Sequence, residues 1–403
     1  MRFLLIFIIL ITSETRTLVI NTNQSDAEPR AIWDQVFEDF RKENPDVDLR
    51  VNYYDHEGYK TGIRNWLATS PPDLVFWYAG NRMRFFARKN LFEPLTQIWE
   101  DPEISRNFSK SRAAVSDQGE VWGLPFTFYH WGIYFNQEVF SKLGLKPPQT
   151  WSQFKQVCKI VKESGLAPIA LGTRYLWPAA GWFDYVNLRV NGLEFHLELL
   201  EGKVPFKDQR VKAAMSKLVE LARQKYFLDY HATYSWQEAQ AFLYQGKAAM
   251  VLMGNFMTAS IPKNSSIGFF RVPQIRDDIP FFEDAPMDTL HIPQKATNKK
   301  DAYRFIKFVA RAKIQTRLNL ALNQLPPHQE ASVGNNVFLQ SGAKILRDAS
   351  ATAQFLDRDA DPNMGRKLMK AIQEILIKPD NLEKVLNKLE IQRLNHIKFQ
   401  KQS

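Results

Sequence analysis

The chain has 403 residues, 45% hydrophobic and 24% charged, with a formal net charge of +10. This balance excludes a disordered chain, a fibre and a polytopic membrane protein, and the length suits two or three domains, each with its own core. A single cysteine, Cys158, excludes an intramolecular disulfide framework and a cysteine-rich zinc site, while aromatics are plentiful at 13%, with ten tryptophans.

Met1-Arg2 precedes an unbroken apolar run, Phe3 to Ile11. The run is too short to span a bilayer, which takes about 20 residues, and it gives way to Thr12 and Ser13. This is the pattern of a secretory signal peptide, expected over residues 1–16. No cysteine follows it, so no lipid anchor is expected. The product is expected free in a bacterial periplasm, which removes nucleic acid from the expected partners despite a pI near 9.4.

Leu18 to Asn21 reads as a buried strand running into a polar loop, Thr22 to Glu28. Pro29 suits the first turn of a helix whose apolar face is Ile32, Trp33, Val36, Phe37 and Phe40; Asn44-Pro45 ends it. Asp48 to Tyr53 alternates as a second strand. A helix then leads to Pro71-Pro72, and Asp73 to Trp77 reads as a third strand. That alternation predicts βαβ units and a parallel sheet. Helical patterns follow at Trp151 to Lys162, Val211 to Tyr226 and Asp301 to Arg311. Short strands follow at Ile133 to Phe135, Ile169 to Leu171, Ala248 to Leu252 and Ile267 to Phe270. The last quarter is mostly helical, with Leu368, Ile372, Ile375 and Leu376 on one face. There is no internal repeat and no low-complexity linker.

Enzyme motifs are missing: no G-x-S-x-G, H-E-x-x-H, P-loop or G-x-G-x-x-G occurs. The seven histidines are scattered, and Cys158 sits in a helical pattern that reads as buried. Asp357-Arg358-Asp359-Ala360-Asp361 has the spacing of a calcium loop. Pro362 stands where such a loop needs Gly and Leu368 where it needs Glu, so no metal is expected there. No cofactor motif is present.

Aromatic residues cluster instead where loops leave strands: Trp77-Tyr78, then Tyr129, His130 and Trp131, then Tyr175, Trp177, Trp182 and Phe183, then Phe256 beside Asn255. In open parallel sheets, ligands bind beyond the carboxyl ends of strands. A flat ring there matches the C–H face of a sugar, and neighbouring polar side chains can bond its hydroxyls.

The segment Gly119-Glu-Val-Trp-Gly-Leu-Pro125 is followed by Ile133 to Phe140, Gly144 and Pro148-Gln-Thr-Trp151. With Leu166 to Gly172, Gly246 to Met250, Gly254-Asn-Phe256, Ile306 to Phe308 before Gln315, and Leu325-Pro326, this ordered set resembles the family 1 extracellular solute-binding proteins. These are the maltose-binding-protein-like carbohydrate receptors of ABC importers. The resemblance implies an α/β, two-lobed periplasmic-binding-protein fold. Each lobe is a doubly wound sheet flanked by helices, and three crossings lie near Thr127, Pro273 and Leu325. The lobes are expected at 17–127 with 274–325, and at 128–273 with 326–403. It implies a carbohydrate ligand, with an oligosaccharide the leading expectation, held between lobes that close on a hinge. It also implies delivery to permease subunits, no catalysis, and a monomer. Trp77, Trp177 and Phe256 match its stacking positions, Phe256 where the family often has Trp. Asn23, Gln24, Ser25 and Asp26 match its hydroxyl-binding loop. Tyr78, Tyr129, His130, Tyr175, Trp182 and Asn255 complete the expected ligand-binding set. Arg82, Arg84 and Arg174 lie near those segments and raise acidic sugars as ligands, but a neutral cleft under a basic outer surface is the preferred reading. Two other classes stay open: a secreted carbohydrate lyase or hydrolase, and a receptor for a non-sugar solute.

Overall fold

A computed structural model describes residues 16–400; the proposed signal segment lies almost wholly outside them. The first five elements are β1 (Arg16–Thr22), α1 (Ala27–Glu43), β2 (Val47–Tyr53), α2 (His56–Ala68) and β3 (Leu74–Tyr78). β1 pairs in parallel with β2 and β3, as the alternation predicts. The sheet then changes sense. Met287–His291 pairs antiparallel with β3 and with Leu124–Phe128, giving a five-stranded mixed sheet. A strand that returns from the far part of the chain needs no crossover helix, so antiparallel edges on a parallel core are a common solution.

The periodic face of α1 packs down on this sheet. Trp33 meets Phe76 and Phe126 edge-on, at 4.7 and 5.1 Å between ring centroids. Phe37 and Phe40 meet Phe305 from the helix Lys299–Ala310 at 5.5 and 5.1 Å. One continuous core thus draws on residues 18–126 and on residues 290–322. Each fully buried Phe or Leu contributes roughly 1.5–3 kcal/mol.

A second sheet has the order Ile267–Phe270, Trp131–Asn136, Ala248–Gly254, Ala167–Ala170, with only the last pair parallel. Helices Trp151–Glu163, Trp177–Leu200, Gln209–Arg223 and Pro362–Ile377 pack around it. Its core spans 129–272 and 355–389 and takes in Cys158, whose thiol burial pushes up. Leu368, Ile372, Ile375 and Leu376 are all buried there. Two cores with separate sheets place the chain in the two-lobed class.

The chain passes between the cores at paired strands. Phe128 and Leu325 exchange both backbone hydrogen bonds at 2.9 Å, and Thr127 Oγ1 donates to Gln324 Oε1 at 3.0 Å. Two passages therefore run side by side as one short ladder. The remaining passage leans on the second core through Glu283, which accepts from Arg189 at 2.6 Å and Arg271 at 2.7 Å. His130 lies at the first passage, fully buried, with Phe269 edge-on at 5.0 Å. The helix Val337–Arg347 crosses it at Gly342. A β-carbon there would stand 1.8 Å from His130 Nδ1. Gly342→Ala is expected to cost about 1–3 kcal/mol by overpacking. Denaturant unfolding measures it, and an unchanged midpoint would show that this contact is not tight.

Candidate functional site

The three parallel strands end on one side of a cavity between the cores, and their following loops and helix starts supply its first wall. From the end of β1 come Asn23, Gln24, Ser25 and Asp26; from the start of α2, His56 and Lys60; from the end of β3, Tyr78. Asp288 stands beside Tyr78, its partner in register on the neighbouring strand. The groups interlock weakly: the Asn23 amide lies 3.4 Å from both His56 Nδ1 and Tyr78 Oη, and Tyr78 Oη lies 3.4 Å from His56 Nε2.

The opposite wall is built of rings. Tyr129 and Trp131 lead into the strand Trp131–Asn136, Trp177 opens a long helix, and Trp236 opens the helix Trp236–Tyr244. Phe256 follows the strand Ala248–Gly254, and Phe355 precedes a short helix, Leu356–Asp359. Phe256 is the hub. Its centroid lies 5.2 Å from Tyr129, 5.3 Å from Trp236, 6.1 Å from Trp131 and 6.2 Å from Trp177, all steeply inclined. Phe355 stacks on Trp131 at 4.8 Å. The indole N–H groups of Trp131 and Trp177 find no acceptor among the described residues.

Charges join the two walls. Arg358 is nearly buried. Its guanidinium pairs with Asp288 at 2.9 Å and donates to Tyr129 Oη at 2.5 Å and to the Met287 carbonyl at 2.9 Å. It also covers the Tyr78 ring at 4.2 Å. Next to it, Asp357 meets Arg82 at 3.3 Å and Lys60 at 3.6 Å. Burial works against the charge on Asp357, but Arg82, Lys60 and Arg358 outweigh it and hold its carboxyl below the usual range. For Asp288 burial wins over Arg358 and pushes the carboxyl up. Asp357, Arg358 and Asp359, weighed above as a calcium loop, thus spend their side chains on protein partners. Among the described residues no group of three His, Cys, Asp or Glu could hold a metal ion.

Of the residues expected at the site, Asn23, Asp26, Tyr78, Tyr129, Trp177 and Phe256 line the cavity. The other five do not, and each has a physical reason. Trp77 points to the face of β3 opposite its neighbour Phe76 and packs against Phe86 at 5.4 Å and Tyr59 at 6.3 Å. Trp182 is not on a loop: the helix already begins at Trp177, and five residues on the ring sits in the core between Phe227 and Phe154. His130 is buried at the passage. The Asn255 amide donates to the Asn323 carbonyl, tying a passage to the second core. Tyr175 is 40% exposed and stands outside the lining. The three arginines also stay out: Arg84 and Arg174 serve Asp117 and Glu238, and Arg82 stands behind Asp357.

The model for the family described as "Bacterial extracellular solute-binding protein" matches residues 24–316. The chain belongs to that family. It is 25% identical over 390 residues to an uncharacterized ABC transporter extracellular-binding protein of Pyrococcus horikoshii, covering 94% of this chain and 89% of that one. It is 23% identical over 297 residues to the multiple sugar-binding protein of Streptococcus mutans, covering 71% and 69%. Among solved structures it is similar to the bacterial solute receptor AcbH, described as preferring β-D-galactopyranose exclusively. The TM-score is 0.89 at 25% identity, covering 94% of this chain and 99% of that one. As a solute-binding protein, the chain has the family's two lobes, with the cavity at their junction.

Two histidines give a stability signature. Burial pushes His130 down to about 3, and pushes His291 down to about 4 against the Trp122 carbonyl that it bonds. In the unfolded chain both take a proton near pH 6.5. Stability is therefore full above pH 6.5 and falls as the pH drops, because the unfolded state binds two protons that the folded state refuses. Near pH 5.5 these two groups are expected to contribute a slope of about 2–3 kcal/mol per pH unit. Denaturant unfolding from pH 7.5 to 5 reads it; a flat profile would contradict it.

Proposed function

We propose that this protein is the substrate-binding component of an ABC importer, working outside the cytoplasmic membrane, in a periplasm. It captures a saccharide between its lobes and hands it, as a monomer, to permease subunits. It catalyses nothing. The lobes are taken as 17–127 with 274–325 and 128–273 with 326–403. The observation that carries the reading is the division of the cavity into a wall of rings and a wall of hydrogen-bonding groups. A sugar ring has that same division: a C–H face and an edge of hydroxyls.

The cavity holds about 160 Å³. That is below the roughly 300–1,000 Å³ of a site for a drug-sized molecule. One sugar ring seats against the wall of rings, and further rings of an oligosaccharide extend toward the mouth.

Closure needs differential binding. To turn a 1:99 ratio into 99:1, the ligand must favour the closed state by about 5.5 kcal/mol. Two or three ring contacts at about 0.5–1.5 kcal/mol each, with several hydrogen bonds at about 1 kcal/mol each, are enough.

A thermal-shift screen against mono- and oligosaccharides tests the reading. A ligand at 100 times its Kd adds about 2.7 kcal/mol of stability. No shift with any saccharide would overturn it, and cleavage of an oligosaccharide would favour the enzyme reading. Trp177→Ala combined with Phe256→Ala is expected to weaken calorimetric affinity by about 30-fold or more, the loss of two ring contacts. Trp182→Ala is expected to act on the fold instead, costing about 3–5 kcal/mol in unfolding measurements.

A further inference from the structure

Resting on the receptor reading above, we propose that the cavity selects its sugar by charge: it accepts a neutral or ammonium-bearing ring and rejects one bearing a carboxylate, with Asp26 as the selecting group. Among the described residues five charged side chains line the cavity: the cations Lys60 and Arg358 and the carboxylates Asp26, Asp288 and Asp357. Both cations are taken. Arg358 spends its donors on Asp288, Tyr129 and the Met287 carbonyl, and its face on Tyr78. Lys60 is faced by two carboxylates, Glu57 at 3.5 Å and Asp357 at 3.6 Å. Asp357 also holds Arg82, which stands behind the lining. Pairing these off leaves one charge over, and it is negative.

That charge is on Asp26. It lies exposed at the edge of the cavity, its carboxylate with no hydrogen-bond or ion-pair partner among the described residues. Asp26 is the N-cap of α1, yet its side chain makes no capping bond. The equivalent residue one unit later, Asp55 at the N-cap of α2, accepts from the Gly58 N–H at 2.8 Å. Asp55 stays out of the cavity lining, and Asp26 is in it. A carboxylate with open lone pairs accepts from vicinal hydroxyls and attracts an ammonium group. A ligand carboxylate would meet it as a like charge, with no cation free to answer. With two cations and three carboxylates, the described lining is opposite in sign to the chain's net charge of +10, which therefore misleads about the ligand.

Calorimetry at pH 7 with two sets of probes tests the proposal: D-glucose, D-glucosamine and D-glucuronate, and D-galactose, D-galactosamine and D-galacturonate. In the set whose neutral hexose binds, the uronate is expected to bind at least 10-fold more weakly than the hexose, and the amino sugar at least as tightly. Asp26→Asn keeps a residue equally suited to an N-cap, so the fold is expected to stand, which a melting curve checks. In that variant the ratio of uronate Kd to amino-sugar Kd is expected to fall at least 10-fold while the hexose affinity moves less. A uronate that binds as tightly as its hexose, or a ratio unmoved by Asp26→Asn, overturns the charge selection and leaves the receptor reading intact. Failure of every mono- and oligosaccharide to bind the unaltered protein overturns the receptor reading and this proposal with it.

Discussion

The cavity depends on how Arg358 is paired. A guanidinium out of water is costly unless a carboxylate answers it and its remaining donors are filled. Here Asp288 and the Met287 carbonyl come from one side of the cleft, and Tyr129 from the other. The pairing requires the two cores to face each other at close range, and the same side chains form part of the cavity floor. Asp357, next in the chain, repeats the device with Arg82 and Lys60. The segment is anchored from behind by the Leu356 N–H, which donates to buried Asp184 at 2.9 Å. A single short helix therefore joins the lobes and shapes the site.

The division of labour between the walls follows from the sheets. The first wall is made where parallel strands end and helices begin, so it is rich in Asn, Gln, Ser, Asp and His at caps and loop turns. The second wall comes from a mostly antiparallel sheet and the helix starts around it. There rings pack on rings, and Phe256 touches four others. Rings held by other rings lose little entropy when a ligand arrives, which favours binding through preorganisation. The paired passages at Phe128 and Leu325 join the lobes through a short common ladder.

Much of this was readable in the sequence. The strand and helix order of the first 78 residues follows from periodicity and Pro/Asn punctuation, because each element buries one face. Phe256 follows from the rule that sites sit past strand ends, whereas the loop Asn23–Asp26 follows only from the family resemblance. The choice between Trp77 and Tyr78 was not readable. Both end the same strand, and only the parity of the pleat and the packing of Phe86 and Tyr59 send one ring into the core. Trp182 follows a strand closely enough in sequence to suggest a loop, but the helix Trp177–Leu200 has already begun and carries its ring into the core. Asp357 and Arg358 were missed for a different reason. Asp357 meets Arg82 across 275 residues of chain, and no local pattern carries that distance. Trp236 did leave a local trace in its capping box, Ser235 with Glu238, which marks a helix start pointing at the site.

The most direct test is a crystal structure of the protein grown with the saccharide that stabilises it most. The account predicts one sugar ring with its C–H face within van der Waals distance of Trp177, Trp236 or Phe256, and its hydroxyls within hydrogen-bond distance of the Asn23–Asp26 loop or His56. A ligand lying on one wall alone, or bound outside this cavity, would contradict it.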